Sequence, residues 1–396
     1  MGAIDQLPTE LLIEIIKRLG NGTNQYTHYD RQRELVRLSQ VSRLWAAVIQ
    51  PLLLSDVLVR NFGRAQALLR TLRANDHLQP LFTGLAWPGQ LSAGPAPPEA
   101  PRIYGELLAL TSDHLRTLRI SSFLFDLDAS TIFSASQICL GTLRTLHIEI
   151  VVLYGDEDLL FLTFLSNLTC LEDLSIKEVD RILHPIGMLP KPRYTLRRFR
   201  HSSRFARERD PEFRMHYFTA DLLLWYLGAS TEAGSLQSLS LVNYDGYDIL
   251  PPLPQHPTPF ASLDELHIHI RCDDPVVLTS WILSVPNVRH LVVSVDVWTN
   301  GGGGVRLTPW PSLYGQAAAI EISRLHHLQE LTLIESSTID ALCKQPEWLT
   351  QGCSSLKSVT FHTHKATLES VTGIASAFKR EGVRVNIRPS WSDHLR

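Results

Sequence analysis

The chain has 396 residues, of which 44% are hydrophobic and 19% are charged, and its formal net charge is −3. This composition is that of a globular protein and excludes a chain that is disordered throughout. The small net charge gives no general attraction to nucleic acid or to anionic membranes. The five cysteines are scattered and form no C-x-x-C pair, which favours reduced thiols in a cytoplasmic or nuclear protein, or one found in both compartments.

The N-terminus does not have the pattern of a secretory signal. Asp5 and Glu10 lie where a signal peptide needs a basic start and an apolar run, so secretion is not expected. The most apolar stretch, residues 159–165, is far shorter than the roughly 18 to 20 residues that cross a bilayer. We therefore expect neither a membrane nor a nucleic acid as a partner.

Residues 7–20 predict a first amphipathic helix. Pro8 suits the first helical position, where a missing N–H costs nothing, and Gly20 can supply a left-handed C-cap. The apolar side chains repeat at helical spacing and form one stripe. They are Leu11, Leu12, Ile15, Ile16 and Leu19.

Two more helices are predicted after a long polar connection from Gly20 to Arg33. One holds Leu35 and Leu38; the other begins near Ser42, a good N-cap residue, and ends at Pro51. Three helices this short cannot bury two apolar faces among themselves. Part of their surface must therefore meet the rest of the chain or a partner.

This segment resembles the F-box in two places, L-P-x-E-L-L-x-x-I from Leu7 and L-x-x-V-S-R-x-W from Leu38. The resemblance covers about the first 55 residues and implies docking onto a Skp-type adaptor and, through it, onto a cullin scaffold. An ordinary helical cap packed on the following domain is the alternative. By position, the resemblance places in the adaptor interface Leu7, Pro8, Leu11, Leu12, Ile15, Leu38, Val41, Ser42 and Trp45.

Residues 55–110 join this segment to the rest of the chain. Residues 61–75 predict a helix, and residues 81–87 an atypical first strand. Five prolines between Pro88 and Pro101 predict a loop. The helix is expected to bury Phe62, Ala65, Leu68, Leu69 and Leu72.

A short unit of the form L-x-x-L-x-L recurs through the rest of the chain, with spacings of 28, 28, 25, 40, 27, 25, 40 and 28 residues. Helix-like stretches at 156–167, 218–227, 275–285 and 367–379 lie between the copies. Strand then helix, repeated, predicts parallel strands on the inside and helices on the outside. The copies begin at Leu115, Leu143, Leu171, Leu196, Leu236, Leu263, Val288, Leu328 and Leu356.

After Asp113 the chain resembles leucine-rich repeats, and the whole resembles the F-box/leucine-rich-repeat family of fungal type. The expected fold is α/β, a three-helix F-box followed by an irregular solenoid, with domains at 1–54, 55–110 and 111–396. Irregularity is expected because the ninth repeat position lacks its usual Asn. It is occupied by Phe123, Val151, Val179, Tyr244, Arg271, Ser336 and His364.

Residues between the leucines of each strand are expected to line a concave surface, because side chains alternate along a strand. Two interpretations of its basic part stay open. Arg198 and Arg200 would accept an acidic or phosphorylated segment, or residues 191–214 are a solvated insertion whose charges partly cancel. The candidate substrate-binding residues are Arg119, His147, Lys177, Arg198, Arg200, His267 and His269.

No pattern in the sequence indicates catalysis, a metal or a cofactor. The pairs His267 with His269 and His362 with His364 lack further ligands and are expected to be surface histidines. No lysine followed by Ser or Thr comes after the glycines at 301–304, so a phosphate loop is not expected.

The expected function is that of a non-catalytic receptor subunit of a ubiquitin ligase. The F-box would hold the adaptor and the repeats would hold a target protein near the ubiquitin-charged enzyme, which raises effective concentration. The alternative is a non-degradative repeat scaffold that binds a protein partner without directing ubiquitination.

Overall fold

The structure is a computed structural model of the chain. It divides into two compact units, Met1–Leu171 with Val179–Pro185, and Glu172–Glu178 with Ile186–Arg396. This division falls inside the repeats, and the domain boundaries at 54 and 110 stay predictions. The residues that the structure describes are 10–11, 14, 25–59, 61–87, 98–120, 140–151, 157–179, 189, 191–202, 220–242, 260–270, 275–295, 320–334, 347–363, 375–376 and 378–389.

The first residues of this unit that the structure describes are helical. Of the predicted first helix the described residues are Glu10, Leu11 and Glu14, which are all helical. Helix α1 (Gln25–Ser39) starts inside the stretch predicted to be a polar connection, so that prediction is wrong over residues 25–33. These nine residues contain no Gly or Pro, and the helix they begin carries Leu35 into the core against the next helix.

Helix α2 (Arg43–Ser55) starts as predicted and ends later than predicted. The backbone N–H of Trp45 donates to Ser42 Oγ at 3.4 Å, which confirms Ser42 as the N-cap. Pro51 lies inside the helix instead of ending it. Proline removes only the bond to the carbonyl four residues earlier, and that residue, Ala47, is exposed to water. Burying apolar side chains on both sides of Pro51 outweighs the lost bond.

The middle of the first unit confirms the predicted helix and adds one. Helix α3 (Phe62–Ala74) buries Ala65, Leu69 and Leu72, whereas Phe62 and Leu68 are half-buried. A 3₁₀ helix, Asp76–Leu81, leads to the strand at Gly84–Trp87. Helix α4 (Ala100–Thr111) was not predicted and includes the end of the predicted proline loop, because a proline is tolerated in the first turn of a helix.

Four strands of the first unit pair in parallel and in chain order. Gly84 is required at the start of the second, since a Cβ there would overlap the carbonyl oxygen of Ser55. All four residues of that strand are buried. The strands are β1 (Val57–Leu58), β2 (Gly84–Trp87), β3 (Thr117–Ile120) and β4 (Thr145–Val151).

The strands of the second unit, β5 to β12, also pair in parallel and in chain order. They are β5 (Asp173–Val179), β6 (Arg198–Ser202), β7 (Ser238–Val242), β8 (Glu265–Ile270), β9 (His290–Val295), β10 (Glu330–Ile334), β11 (Ser358–Thr363) and β12 (Arg384–Pro389). Across both units, each of the nine predicted copies of L-x-x-L-x-L forms a strand that starts two residues after its first position.

Helices follow strands between these repeats, as predicted, within the described residues. The predicted helix at 156–167 is observed at Glu157–Asn167 and that at 275–285 at Pro275–Ser284, while those at 218–227 and 367–379 are described only in part. The further helices are α5 (Glu157–Asn167), α6 (Ala220–Leu227), α7 (Ser230–Ala233), α8 (Pro275–Ser284) and α9 (Glu347–Gly352). No helix among the described residues is long and apolar enough to span a membrane.

Side-chain hydrogen bonds join successive turns just before the strands. Thr142 Oγ1 donates to the Leu115 carbonyl at 2.8 Å, and Asn287 Nδ2 donates to the Ala261 carbonyl at 2.8 Å. Backbone bonds add to them, as where the N–H groups of Arg289 and His290 both donate to Asp264 O. These bonds fix the register of neighbouring repeats. Of the ninth-position residues only Val151 and Val179 are described, so the predicted irregularity stays a prediction.

Candidate interaction surfaces

The N-terminal helices are built around a small apolar core. Leu35 from α1 and Trp45 and Ile49 from α2 are its buried members, with exposures of 3%, 6% and 0%. Half-buried neighbours complete the cluster and include Leu38, which the resemblance places in the adaptor interface. The core therefore sets the angle between the two helices and the direction of the turn that joins them.

Trp45 lies in this core and not at the surface where the resemblance suggests an adaptor contact. Its exposed fraction is 6%, and its Nε1–H has no hydrogen-bond partner among the described residues. A side chain in this position holds α1 against α2. A change at Trp45 would thus alter partner binding by changing how α1 and α2 pack together.

The apolar side chains that do reach solvent are concentrated in this segment. Leu11, Val36 and Val41 are 51%, 45% and 56% exposed, and they are three of the five exposed large hydrophobic side chains among the described residues. Val41 lies in the turn between α1 and α2, where its N–H donates to the Leu38 carbonyl at 3.1 Å. Ser42 is half-buried and caps α2.

The structure therefore separates the nine residues predicted for the adaptor interface. Leu11 and Val41 are exposed, Leu38 and Ser42 are half-buried, and Trp45 is in the core. Val36 was not predicted, and it is exposed although the adjacent Leu35 is buried. The residues that lie outside the described part of the chain are Leu7, Pro8, Leu12 and Ile15.

The predicted strand-face residues lie on the polar side of the strands. Arg119, Arg198 and Arg200 are exposed. Arg119 and Arg200 each lie between two buried residues of their strands, whereas Arg198 follows an exposed residue and precedes a buried one. His147, Lys177 and His267 are half-buried. His269 belongs to β8, but its side chain lies outside the described set.

Ion pairs occur in the first row of this face in the second unit, which is formed by the first residue of each strand. Arg198 donates from Nε and Nη2 to the two carboxylate oxygens of Asp173, both at 2.8 Å. This hydrogen bonding and the charge of Asp173 raise the pKa of Arg198. Further along the row, His290 Nδ1 lies 3.2 Å from a Glu330 carboxylate oxygen. The charge of Arg198 is therefore balanced by a carboxylate of the same chain, as one of the two interpretations of the basic segment predicts.

In the third row, formed by the third residue of each strand, Arg200 lies between two serines. Ser175, Arg200, Ser240 and His267 are in register on the four adjacent strands β5 to β8. Arg200 is exposed and makes no ion pair or hydrogen bond among the described residues. The hydroxyls of Ser175 and Ser240 have no hydrogen-bond partner there either. The second interpretation, an acceptor for an anion, is therefore compatible with Arg200.

Two histidines are part of the core. Burial lowers the pKa of His201 to about 3, and its ring lies 6.4 Å from those of Phe199 and Tyr226. His362 was predicted to be a surface residue, and that prediction is wrong, because only 8% of it is exposed. Burial and, secondarily, the charge of Arg388 lower the pKa of His362. Both histidines are thus neutral packing residues near pH 7.

A polar cleft of about 300 Å³ lies along the turns before β8, β9 and β10. Its charged groups are already paired, since Arg289 Nε lies 3.4 Å from an Asp264 carboxylate oxygen. Asn287 is also engaged, by its bond to the Ala261 carbonyl. The cleft therefore offers a ligand few unused polar groups.

Comparison with known proteins bears on the N-terminal segment. Residues 4–58 match the family model described as F-box-like, which spans both α1 and α2 with the exposed side chains of Leu11, Val36 and Val41. Comparison with curated proteins gives no match to the chain. The chain thus contains a helical F-box-like domain at residues 4–58. This domain supports the interpretation of the chain as an F-box protein and suggests that it binds a Skp-type adaptor.

Proposed function

We propose that this chain is the substrate-recognition subunit of a Skp–cullin–F-box ubiquitin ligase. One observation carries the proposal. The segment that matches the F-box-like family also holds three of the five exposed large hydrophobic side chains among the described residues. Exposed apolar groups clustered in so short a segment are typical of a surface that a partner covers.

The turn that presents Val41 is well ordered by its own bonds. Gln40 N–H donates to Arg37 O at 3.2 Å, Val41 N–H donates to Leu38 O at 3.1 Å, and Ser42 caps the following helix. A backbone held in this way loses little conformational freedom when a partner binds. Val41 is therefore suited to be an anchor of the adaptor interface.

The other interface residues take different roles in the proposal. Leu11 and Val36 supply further exposed apolar side chains, and Leu38 contributes its exposed part while packing on the core. Trp45 is a positioning residue that keeps the turn in place. Leu7, Pro8, Leu12 and Ile15 enter through the family resemblance alone.

The repeats take the other half of the proposed function. They would hold a target protein so that its lysines meet the ubiquitin-charged enzyme carried elsewhere in the complex, in the cytoplasm, the nucleus or both. The chain then contributes effective concentration and orientation, and it catalyses no step itself.

Val41→Asp tests the adaptor half of the proposal. A carboxylate at the centre of an apolar interface has to be desolvated without a partner, so we expect adaptor binding to weaken at least about a hundredfold. Leu283→Asp is the matched control, since Leu283 is 58% exposed on α8 in the second unit. Binding of the full-length variants to the adaptor is measured by calorimetry. Equal affinities for Val41→Asp and the unchanged chain would contradict the proposal.

A second measurement separates the ligase subunit from the non-degradative scaffold. The chain is assembled with adaptor, cullin and the ubiquitin-charged enzyme, and ubiquitin transfer to proteins co-purified with the chain is followed. We expect transfer that Val41→Asp abolishes and Leu283→Asp preserves. An adaptor complex that assembles with cullin and yet modifies no bound protein would favour the scaffold.

A further inference from the structure

We infer that the free edge of β12 binds an extended segment of a partner protein, which adds a strand to the sheet and carries acidic residues opposite Arg384 and Arg388. The inference goes beyond the proposed function, because strand addition uses the edge of the sheet and not the polar strand face that is proposed to hold a target. It rests on the backbone, the apolar side chains and the charges of β12.

The backbone of β12 has unpaired hydrogen-bonding groups along one side. β12 pairs with β11 through all six of its residues and is the last strand in the order of the sheet. The N–H of Arg384 donates toward β11, to the Lys357 carbonyl at 2.9 Å, and successive residues of a strand direct their N–H and C=O groups to opposite sides. Val385 and Ile387 therefore direct theirs away from β11, where no described residue bonds to them. Two donors and two acceptors are left for an added strand.

The apolar layer of the sheet is also incomplete at β12. Val385 and Ile387 are in register with Val359 and Phe361 of β11. Those two β11 side chains have exposures of 0%, whereas Val385 and Ile387 are only half-buried. An added strand with apolar side chains on the same face would cover them, and removing this apolar surface from water stabilises the complex.

The charges of β12 select an acidic segment. Arg384 and Arg388 are exposed, and neither side chain makes an ion pair or a hydrogen bond among the described residues. They are four residues apart, so they lie on one face of the strand at a separation of about 13 Å. Carboxylates four residues apart on an added strand would lie opposite both guanidiniums. Within residues 378–389, Glu381 is the only acidic residue, and the basic residues are Lys379, Arg380, Arg384 and Arg388.

A second copy of this chain fits the edge poorly. If two β12 strands paired antiparallel over their whole length, Arg384 of one copy would lie opposite Arg388 of the other. Like charges directly opposite each other destabilise a strand pair. Pro389, which has no N–H, ends the open edge after a few residues. Charged side chains and proline oppose the pairing of identical edges, whereas an acidic partner turns the same arginines into attractive groups.

The test uses a fluorescein-labelled peptide whose central sequence is Glu-Val-Thr-Val-Glu. This sequence is the same in both directions, so its glutamates lie opposite Arg384 and Arg388 in a parallel or an antiparallel pairing. Binding to the full-length chain is measured by fluorescence polarisation. We expect it to bind at least about tenfold more tightly than a Lys-Val-Thr-Val-Lys peptide. N-methylation of its threonine and both valines should weaken binding at least about tenfold, because strand addition depends on main-chain hydrogen bonds.

Charge reversal on the chain gives a reciprocal comparison. Arg384→Glu combined with Arg388→Glu should reverse the preference, so that the lysine peptide binds at least about tenfold more tightly than the glutamate peptide. The matched control is Arg119→Glu with Arg200→Glu, because these exposed arginines lie on strands that are paired on both sides. It changes the net charge equally and should keep the glutamate preference within about twofold. The N-methylated peptide needs no variant, so it tests the inference even if charge reversal unfolds β12.

Four results would overturn the inference. Equal binding of the glutamate and lysine peptides, or a glutamate preference that survives charge reversal at β12, removes the acidic partner. Unchanged binding of the N-methylated peptide removes strand addition. Loss of binding in the Arg119→Glu with Arg200→Glu control assigns the peptide to the polar strand face. Self-association of the chain that Ile387→Pro abolishes, measured by sedimentation, would make a second copy the occupant of the edge.

Discussion

Replacing Trp45 tests whether adaptor binding depends on the core of the N-terminal helices. An aromatic side chain of this size buries about 150 to 250 Å², and 94% burial at about 25 cal/mol per Å² gives about 3.5 to 6 kcal/mol. Large-to-small substitutions of buried aromatic residues cost about 3 to 5 kcal/mol. We therefore expect Trp45→Ala to destabilise α1 and α2 by about 3 to 5 kcal/mol.

Hydrogen exchange of the α1 and α2 amides measures this loss locally, and adaptor affinity is measured in parallel. Trp45→Phe is the matched variant. Because Nε1 of Trp45 has no hydrogen-bond partner among the described residues, phenylalanine loses packing but no polar contact, and about half the effect or less is expected. Val41→Asp should weaken adaptor binding while leaving exchange unchanged. If Trp45→Ala abolished adaptor binding with full amide protection in both helices, the indole would be a contact residue and the reasoning would fail.

Two other predictions concern the second unit. Gly228 has a φ of 57°, and a Cβ there would lie 2.8 Å from the Pro192 carbonyl oxygen. Gly234 has a φ of 61°, and a Cβ there would have no atom within 4 Å. Both alanine variants carry about 1 to 2 kcal/mol of left-handed backbone strain, so the contact at Gly228 should make Gly228→Ala lower Tm more than Gly234→Ala, and equal shifts in Tm would contradict this difference. Burial lowers the pKa of His201 to about 3, below its unfolded value, so the unfolded chain binds more protons between about pH 6.5 and 3 and stability falls as pH falls through that range. The slope due to His201 approaches about 1.4 kcal/mol per pH unit, and His201→Phe should reduce it in urea titrations at pH 7, 6 and 5.

The repeated strands were predictable because the fourth and sixth residues of L-x-x-L-x-L lie on the same face of the strand. The first residue of the motif lies at a fixed distance before them, in the buried turn that precedes the strand. β12 escaped detection because Gly382 stands where the other copies have their first apolar residue, even though Val385 and Ile387 continue the pattern. Helix α4 escaped because Pro101 and Gly105 are poor helix residues. Its buried apolar side chains overrode that local preference, and they are Ala100, Ile103, Tyr104, Leu107 and Leu108.

A longer form of the repeat was also present in the sequence. An apolar residue three positions before the motif is buried in several copies, as at Leu140, Phe260 and Val285, and its carbonyl accepts the N–H of the first motif residue. That bond closes the turn before the strand. Including this position would have helped to separate true copies from chance occurrences of spaced leucines.

Site residues were harder to predict than strands, for a reason that Arg198 and Arg200 illustrate. The two arginines are two residues apart on one strand face, so nothing local distinguishes them. The difference comes from Asp173, which lies 25 residues earlier and is opposite Arg198 only because of the strand register. In the N-terminal segment, likewise, the spacing of Val41 and Trp45 does not say which of them faces the core.

The two surfaces make the ligase and scaffold interpretations separable by a single set of variants. A receptor that delivers a target needs the exposed side chain of Val41 and the polar strand face of the repeats in the same molecule, so loss of either should abolish ubiquitin transfer while sparing the other binding event. A scaffold needs only one of the two surfaces for its partner. Transfer that depends on both surfaces independently would therefore be explained by a bridge between adaptor and target, and a repeat protein that only holds a partner would not produce it.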